Sequence, residues 1–163
     1  MNRTRWAAAV ALLLLLAGCG VRPSGATDAG AAPTGIAPGP TLYFIDARGD
    51  LRPQQRASGR LGTVGEAVTL LLYGPGGSGM RTGITSDGVT RVETTITDTT
   101  IELRMPVTSE DVTAFGVDQV VCTALAVHVQ GGGSARTTVR LYFTQPAPGS
   151  EETRTCPLIN PGR

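Results

Sequence analysis

The side chains that could do chemistry are few in this chain of 163 residues: three cysteines, one histidine and 13 carboxylates. A single histidine excludes zinc sites built on histidine pairs, and a Ser-His-Asp triad would need His128 to leave the apolar stripe of a predicted helix. The carboxylates are scattered, and no spacing rule selects two of them for acid–base catalysis. Those considered are Asp87, Glu93, Asp98, Glu102, Glu110 and Asp111. We therefore predict no catalytic residue, no metal site and no cofactor.

A glycine-rich stretch does not predict a nucleotide site either. Residues 74–79 satisfy the spacing G-x-G-x-x-G, but a dinucleotide site needs a strand before this motif and a helix after it. Here a predicted helix precedes the glycines and none follows, so we interpret the stretch as a loop that ends a helix. Residues 48–50 spell the adhesion tripeptide Arg-Gly-Asp, and we interpret them as a tight turn.

Composition limits the partners and the size of the core. The 14 basic residues, all arginine, are balanced by 13 acidic ones, so no basic surplus indicates nucleic-acid binding. Apolar residues make up 40% of the chain and aromatic residues only 4%. These values predict one domain with an aliphatic core.

The first residues have the pattern of a secretory signal. Two arginines precede an apolar run of eleven residues, 7–17, which is too short to cross a hydrocarbon core, since that takes about 20 residues. The sequence Leu-Ala-Gly-Cys at residues 16–19 resembles the lipobox of bacterial lipoproteins, in which the cysteine is lipidated and becomes the first mature residue. We predict a signal peptide over residues 1–18 and a lipid on Cys19, which would anchor the protein to the outer face of the cell membrane. An ordinary signal peptide with a chance cysteine is the alternative.

Residues 19–40 are predicted to be the lipidated cysteine and a flexible tether. From residue 20 onwards this segment is mostly glycine, alanine, proline, threonine and serine, which bury too little apolar surface to offset the entropy of ordering. The tether would reach about 25 Å and would hold a domain just off the membrane.

Lipidation of Cys19 would leave an even number of cysteines. Outside the cytoplasm the remaining pair, Cys122 and Cys156, favours a disulfide. The bridge would close a loop of about 35 residues. It would also tie down residues 146–163, which we predict to be an extended, proline-rich tail.

The start of the domain predicts two strands and a helix. The run TLYFI at residues 41–45 is apolar on both faces, which predicts a central buried strand, and residues 51–56 are predicted to pair with it. Residues 63–74 predict a helix, because Thr63 and Glu66 form a capping box and glycine and proline stand at its end. The apolar stripe of this helix is Val64, Ala67, Val68, Leu71 and Leu72.

The rest of the domain predicts a hairpin, a helix and a strand. Residues 89–96 and 99–105 form the hairpin, and apolar and polar residues alternate along its second arm. A helix then runs from residue 112 or 117 to residue 130, and a strand covers residues 137–144. This order of elements predicts an α+β fold, with a small mixed β-sheet and two helices packed on one face.

Several segments, in this order, resemble the GerMN domain, also called the sporulation and spore germination domain. They are TLYFIDARGDLRPQQR, EAVTLLLYGP, MRTGI, DTTIELRMP, DQVVCTAL and VRLYFT. The resemblance covers residues 41–145, which we take as the domain, and includes stretches at residues 71–75, 82–84 and 119–123. The chain departs from the family in its cysteine pair and in carrying a single copy with no fused propeller or amidase.

The resemblance implies a fold similar to ring-building motif domains and no enzymatic activity. It implies an interaction module in a lipoprotein of the cell envelope, as in sporulation assemblies and beside actinobacterial signalling components. The partner would be an envelope protein, a cell-wall component or a second copy of the chain. The predicted hairpin and the loops at residues 74–83 and 131–135 are candidate contact surfaces. Two alternatives are an envelope hydrolase that uses the scattered carboxylates and a lipoprotein that binds a small ligand, which the low aromatic content disfavours.

Overall fold

A computed structural model gives the fold and describes residues 39–88, 91–145, 148–149 and 152–159. These residues belong to one compact unit, Gly35–Arg163. The predicted signal peptide, Cys19 and nearly all of the predicted tether lie outside the described residues. The elements are β1 (Thr41–Ile45), β2 (Leu51–Gln55), α1 (Val64–Leu72), β3 (Glu93–Ile96), β4 (Thr100–Arg104), α2 (Ala114–Gln130), β5 (Thr138–Tyr142) and β6 (Thr153–Arg154), with short 3-10 helices at Gly76–Ser78 and Ser109–Asp111. The predicted α+β class is confirmed.

The strands are divided between two sheets, where the sequence predicted one. β1 and β2 form an antiparallel pair, and the other four strands form a mixed sheet in the order β3-β4-β5-β6. β4 and β5 run parallel, while β3 and β6 are antiparallel to their neighbours. The chain passes from β4 to β5 through α2, because parallel neighbours need a long crossover connection.

β1 is buried, as predicted, but it is not a central strand. Leu42 and Phe44 are fully buried, although β1 pairs only with β2. Its burial comes from α1 and α2, which both pack against it. The prediction of a central position was wrong because apolar residues on both faces do not reveal what covers the edge of a strand.

α1 begins at the predicted capping box. Thr63 Oγ1 accepts a hydrogen bond from the Glu66 amide at 3.2 Å, and the Glu66 carboxylate accepts one from the Thr63 amide at 2.8 Å. Gly74 follows the helix with a φ of 84°, a conformation that favours glycine. All five residues of the predicted apolar stripe are buried, so the 3.6-residue period identified the packed face correctly.

α2 supplies the centre of the core. It starts at Ala114, between the two predicted starts, and Thr113 caps it by accepting a hydrogen bond from the Gly116 amide at 3.1 Å. Residues 119–127 are all buried, because α1, β1 and β5 pack against this helix. A helix covered on several sides carries polar residues into the core, and these need partners there.

The predicted alternation along β4 and β5 is confirmed. Ile101 and Leu103 of β4 are buried. They lie beside Val139 and Leu141 of β5 in the parallel register, which are also buried. The apolar side of the larger sheet therefore joins the core built around α2.

The tail is held on the domain at two places. β6 was not predicted, and it pairs with β5 through Thr153 and Arg154. Two residues later, Cys156 is fully buried and forms a disulfide with Cys122 of α2, with their Cα atoms 4.7 Å apart. The structure thus places the two cysteines together as the cysteine count predicted.

Candidate functional site

The single histidine packs at a helix end. His128 lies in the last turn of α2, and its Nε2 lies 3.2 Å from the hydroxyl of Thr137, a buried residue. Gly133 passes so close to the imidazole that a Cβ at this position would clash with it. These contacts hold the turn between α2 and β5, which contains the predicted contact loop at residues 131–135.

Among the described residues, the six carboxylates considered as candidates do not form a facing pair for acid–base chemistry. Pairing across the hairpin places Glu93 opposite Arg104 and Glu102 opposite Thr95, so Glu93 and Glu102 do not face each other. Asp111 caps a short helix, because its carboxylate accepts hydrogen bonds from the amide and hydroxyl of the preceding turn at 2.9 and 2.7 Å. Of the six candidate carboxylates, Asp87, Glu93, Asp98 and Glu110 are exposed. In the described part of the chain, no group of three His, Cys, Asp or Glu residues could hold a metal ion.

Side chains of α2 cover one edge of β1. The Tyr43 amide donates to Thr123 Oγ1 at 3.0 Å, and the Tyr43 carbonyl accepts from Gln119 Nε2 at 3.0 Å. The Thr41 amide donates to Gln130 Oε1 at 3.1 Å. These three positions of α2 are four and seven residues apart, so they lie on one face of the helix. They take the place of a neighbouring strand, and β1 therefore does not join the larger sheet.

Gln119 also holds the segment that follows the glycine-rich loop. Its Oε1 accepts a hydrogen bond from the Gly83 amide at 2.7 Å, and the whole side chain is buried. The Thr113 amide donates to the Gly83 carbonyl at 2.9 Å. Residues 82–84 and 119–123 therefore contact each other beside β1. The hydrogen bond between Gly83 and Gln119 fastens this segment to α2.

Two further strand edges are blocked. The Asp46 amide donates a main-chain hydrogen bond to the Asp50 carbonyl, which fixes the pairing of β1 with β2. Hydrogen-bonded and non-hydrogen-bonded pairs alternate along the two strands, so the main chain of Pro53 faces away from β1. A proline has no amide hydrogen to offer to an added strand. At the far edge of the larger sheet, β6 is only two residues long. In the described part of the chain, neither edge offers two successive outward-facing residues that both have a free amide.

The edge of β3 is open over two residues. The hairpin turn closes with a hydrogen bond from the Thr97 amide to the Thr100 carbonyl at 2.9 Å. From that point, hydrogen-bonded and non-hydrogen-bonded residue pairs alternate along β3 and β4. The main chains of Thr94 and Ile96 therefore face away from β4. Among the described residues, neither has a main-chain hydrogen-bond partner on that side.

α1 covers the beginning of this edge. The Val92 amide donates to Thr69 Oγ1 of α1 at 3.2 Å. A Cβ on Gly65 would lie 2.8 Å from the Val92 carbonyl oxygen and 2.8 Å from Thr94 Oγ1, so this close approach of helix and strand requires glycine. Beyond Val92, no side chain of the described residues binds the main chain of this edge.

A groove of about 1020 Å³ runs between α1 and the open edge of β3. Its lining includes Val64, Thr69 and Leu70 from the helix and Val92, Thr94 and Ile96 from the strand. Ile96 is 48% exposed although it is a large apolar residue. We name this feature the β3 groove; it combines apolar side chains with the free main-chain groups of an edge strand.

An ion pair forms part of the wall of the β3 groove. Arg60 binds both carboxylate oxygens of Glu66, at 3.0 and 2.8 Å. These hydrogen bonds, together with the one from the Thr63 amide, lower the pKa of Glu66 to about 2 from the ordinary 4.5. The capping box and the groove wall thus share one carboxylate.

Replacing Glu66 with glutamine should flatten the acid limb of the stability curve. The pKa of Glu66 is lower in the folded chain than in the unfolded chain, so its contribution is complete above pH 4.5 and is lost as the pH falls towards 2. Urea unfolding at steps between pH 2 and pH 6 measures this slope. Glu110→Gln is the control, because that exposed side chain has no hydrogen bond or ion pair among the described residues. Equal slopes for Glu66→Gln and the parent chain would contradict the prediction.

The predicted contact surfaces lie in different settings. The first arm of the hairpin forms one wall of the β3 groove. In the loop at residues 74–83, Arg81 exchanges two main-chain hydrogen bonds with Ile45, at 2.7 and 2.9 Å. The end of this loop is therefore fixed to β1. Sequence reasoning missed the contribution of α1 to the groove. The available signal was Leu70, an apolar residue outside the predicted stripe.

No helix among the described residues is long and apolar enough to span a membrane. The whole chain was compared with protein-family models, with curated proteins and with solved structures, and none of the three comparisons found a match.

Proposed function

We propose that this chain is a lipid-anchored, non-catalytic domain of the cell envelope that binds another protein or a cell-wall component. The observation that carries the proposal is the β3 groove, where free main-chain groups lie beside exposed apolar side chains. Of the other strand edges that the structure describes, one is covered by α2, one is interrupted by Pro53 and one is two residues long. Open edges are normally avoided because they attract other chains, so an edge left open on one side supports a binding role.

The proposed location rests on the N-terminal residues. The sequence that ends in Cys19 resembles a lipobox, and a lipid on that cysteine would keep the protein on the outer face of the membrane. The disulfide between Cys122 and Cys156 supports an oxidising compartment. The resemblance to the GerMN domain supports an interaction role in the same compartment.

Replacing Cys19 with serine should release the protein from membranes. The reason is that serine cannot carry the thioether-linked lipid that anchors the chain. Fractionation of cells after labelling with an alkyne-tagged palmitate measures both attachment and lipid incorporation. The double variant Cys122→Ala/Cys156→Ala is the control and should stay with the membrane. A Cys19→Ser protein that still partitions with membranes would contradict the proposed anchor.

The binding role is tested by cross-linking in living cells. A photoreactive phenylalanine analogue is placed at Ile96 in the β3 groove, and at Leu158 and Gln55 as exposed controls outside it. We expect a discrete adduct from Ile96 and only background from the two controls. Absence of an adduct from all three positions would contradict the proposed function. Turnover of a cell-wall or ester substrate by the purified full chain, lost on replacing one or two carboxylates, would instead favour a hydrolase.

A further inference from the structure

We propose that the β3 groove binds an extended peptide segment as an added strand, paired to the main chains of Thr94 and Ile96. This inference deepens the proposed function and rests on it. The segment would alternate apolar and polar residues and would carry a basic residue beside Glu93. Such strand addition uses main-chain hydrogen bonds for affinity and side-chain pockets for specificity.

The main chain of β3 sets where the added strand pairs. Thr94 and Ile96 each direct an amide and a carbonyl away from β4, and neither has a partner on that side among the described residues. On the same side, Thr69 Oγ1 of α1 already accepts a hydrogen bond from the Val92 amide at 3.2 Å. The pairing therefore begins at Thr94 and continues towards the hairpin turn.

The groove side of the added strand meets apolar surface. Alternate side chains of a strand point to opposite faces of its sheet. Those that share the face of Ile96 enter the space between β3 and α1, which Val64 and Leu70 also line. Ile96 is 48% exposed, so apolar side chains on the peptide would remove this surface from water.

The other face of β3 provides the charges. Arg91 and Glu93 are both exposed and lie two positions apart, at and just before the start of the strand. Neither forms an ion pair among the described residues. A basic residue on the peptide beside Glu93 complements its charge, since opposite charges on neighbouring strands are favourable. Arg91 lies on the far side of the Val92 position that Thr69 covers, so the added strand does not reach it.

The shape of the groove favours a single strand over the edge of a second copy. α1 lies beside the open edge and forms the opposite wall of the groove. A second copy that offered its own β3 would bring its own α1 to the same place, so the two helices would compete for the space of one strand. A lone extended segment has no such neighbour.

The test uses one labelled peptide and the full chain purified in a mild detergent. The probe is an acetylated, amidated heptapeptide, Thr-Val-Asp-Val-Arg-Val-Thr. Its binding to the chain is measured by fluorescence anisotropy. One copy is N-methylated at its valines and a second at its Asp and Arg. An added strand donates main-chain hydrogen bonds from alternate residues only, so one of the two copies should bind at least about tenfold more weakly, as expected for losing one or two such bonds.

Protein variants test the same site from the other side. Thr94→Pro removes an edge amide, Ile96→Lys places a charge in the groove, and both should weaken binding at least about tenfold. Leu158→Lys is the matched control, because Leu158 is 54% exposed and lies outside the groove. Circular dichroism checks that each variant is folded. If Thr94→Pro does not fold, Ile96→Lys alone still tests the site.

Three outcomes would overturn strand addition: no binding of the peptide, equal binding of both N-methylated copies, or equal binding by the Ile96→Lys chain. A dimer that forms through β3 and excludes the peptide would assign the edge to a second copy and would also overturn it. If the peptide does not bind while Ile96 still gives its adduct in cells, strand addition fails and the binding role stands. If neither is seen, both fail.

Discussion

Replacing Gln119 with leucine should lower the free energy of unfolding by about 2–5 kcal/mol. The Gln119 side chain is fully buried, its Nε2 donates to the Tyr43 carbonyl at 3.0 Å and its Oε1 accepts from the Gly83 amide at 2.7 Å. Leucine has a similar size and fills the space, but it leaves the buried Tyr43 carbonyl and the half-buried Gly83 amide without partners. Each such group costs about 1–3 kcal/mol.

The matched control is Gln130→Leu on the same helix. Gln130 accepts a hydrogen bond from the Thr41 amide at 3.1 Å, but it is exposed, so water can replace the lost bond. We expect a change within about 0.5 kcal/mol for this variant. Urea unfolding followed by far-ultraviolet circular dichroism measures both. Equal losses for the two variants would contradict the view that α2 covers β1 through buried side-chain bonds.

Removing the disulfide should lower the free energy of unfolding by about 4 kcal/mol. Cys122 and Cys156 are 34 positions apart, and their bond limits the freedom of a loop of that length in the unfolded chain. Both sulfur atoms lie in residues that are fully buried. The double variant Cys122→Ala/Cys156→Ala should therefore unfold at a lower urea concentration than the parent chain.

The loss should also be local. β6 pairs with β5 through two residues only, which is too little to hold the tail without the bond. Amide hydrogen exchange in the double variant should be fast at Thr153 and Arg154, while the Tyr43 amide stays protected. A reducing agent should lower the stability of the parent chain and leave that of the double variant unchanged. If the reducing agent has no effect on the parent chain, the prediction is wrong.

Local patterns accounted for the parts of the fold that depend on near neighbours. The capping box of α1 joins Thr63 to Glu66, three residues apart, and its apolar stripe repeats every three or four residues. Both features can be recognised from adjacent sequence. The alternation of buried residues along β4 has the same local origin, since Ile101 and Leu103 are two residues apart.

The division into two sheets could not be predicted in this way. It depends on Gln119 and Thr123, whose side chains form hydrogen bonds with the main chain of Tyr43. These residues are 76 and 80 positions away from Tyr43 in the sequence. A glutamine on a helix is usually exposed, and nothing in its neighbours shows that a strand edge will need it. β6 depends likewise on the bond between Cys122 and Cys156, which brings a tail segment beside β5.

The candidate site was predicted only in part. The hairpin was identified as a contact surface, and its first arm forms one wall of the β3 groove. The opposite wall comes from α1, and the free edge exists because β3 is the last strand of its sheet. Strand order follows from which strands pair, and that is set by contacts distant in sequence.

The most direct test of this account is amide hydrogen exchange of the full chain, measured residue by residue at two strand edges. The Tyr43 amide donates to buried Thr123 Oγ1 at 3.0 Å and should exchange slowly, at a rate close to that of global unfolding. The amides of Thr94 and Ile96 lie in an equally regular strand but face the β3 groove, and they should exchange quickly. Slow exchange at Thr94 and Ile96, equal to that of Tyr43, would mean that this edge is already covered and would contradict the account.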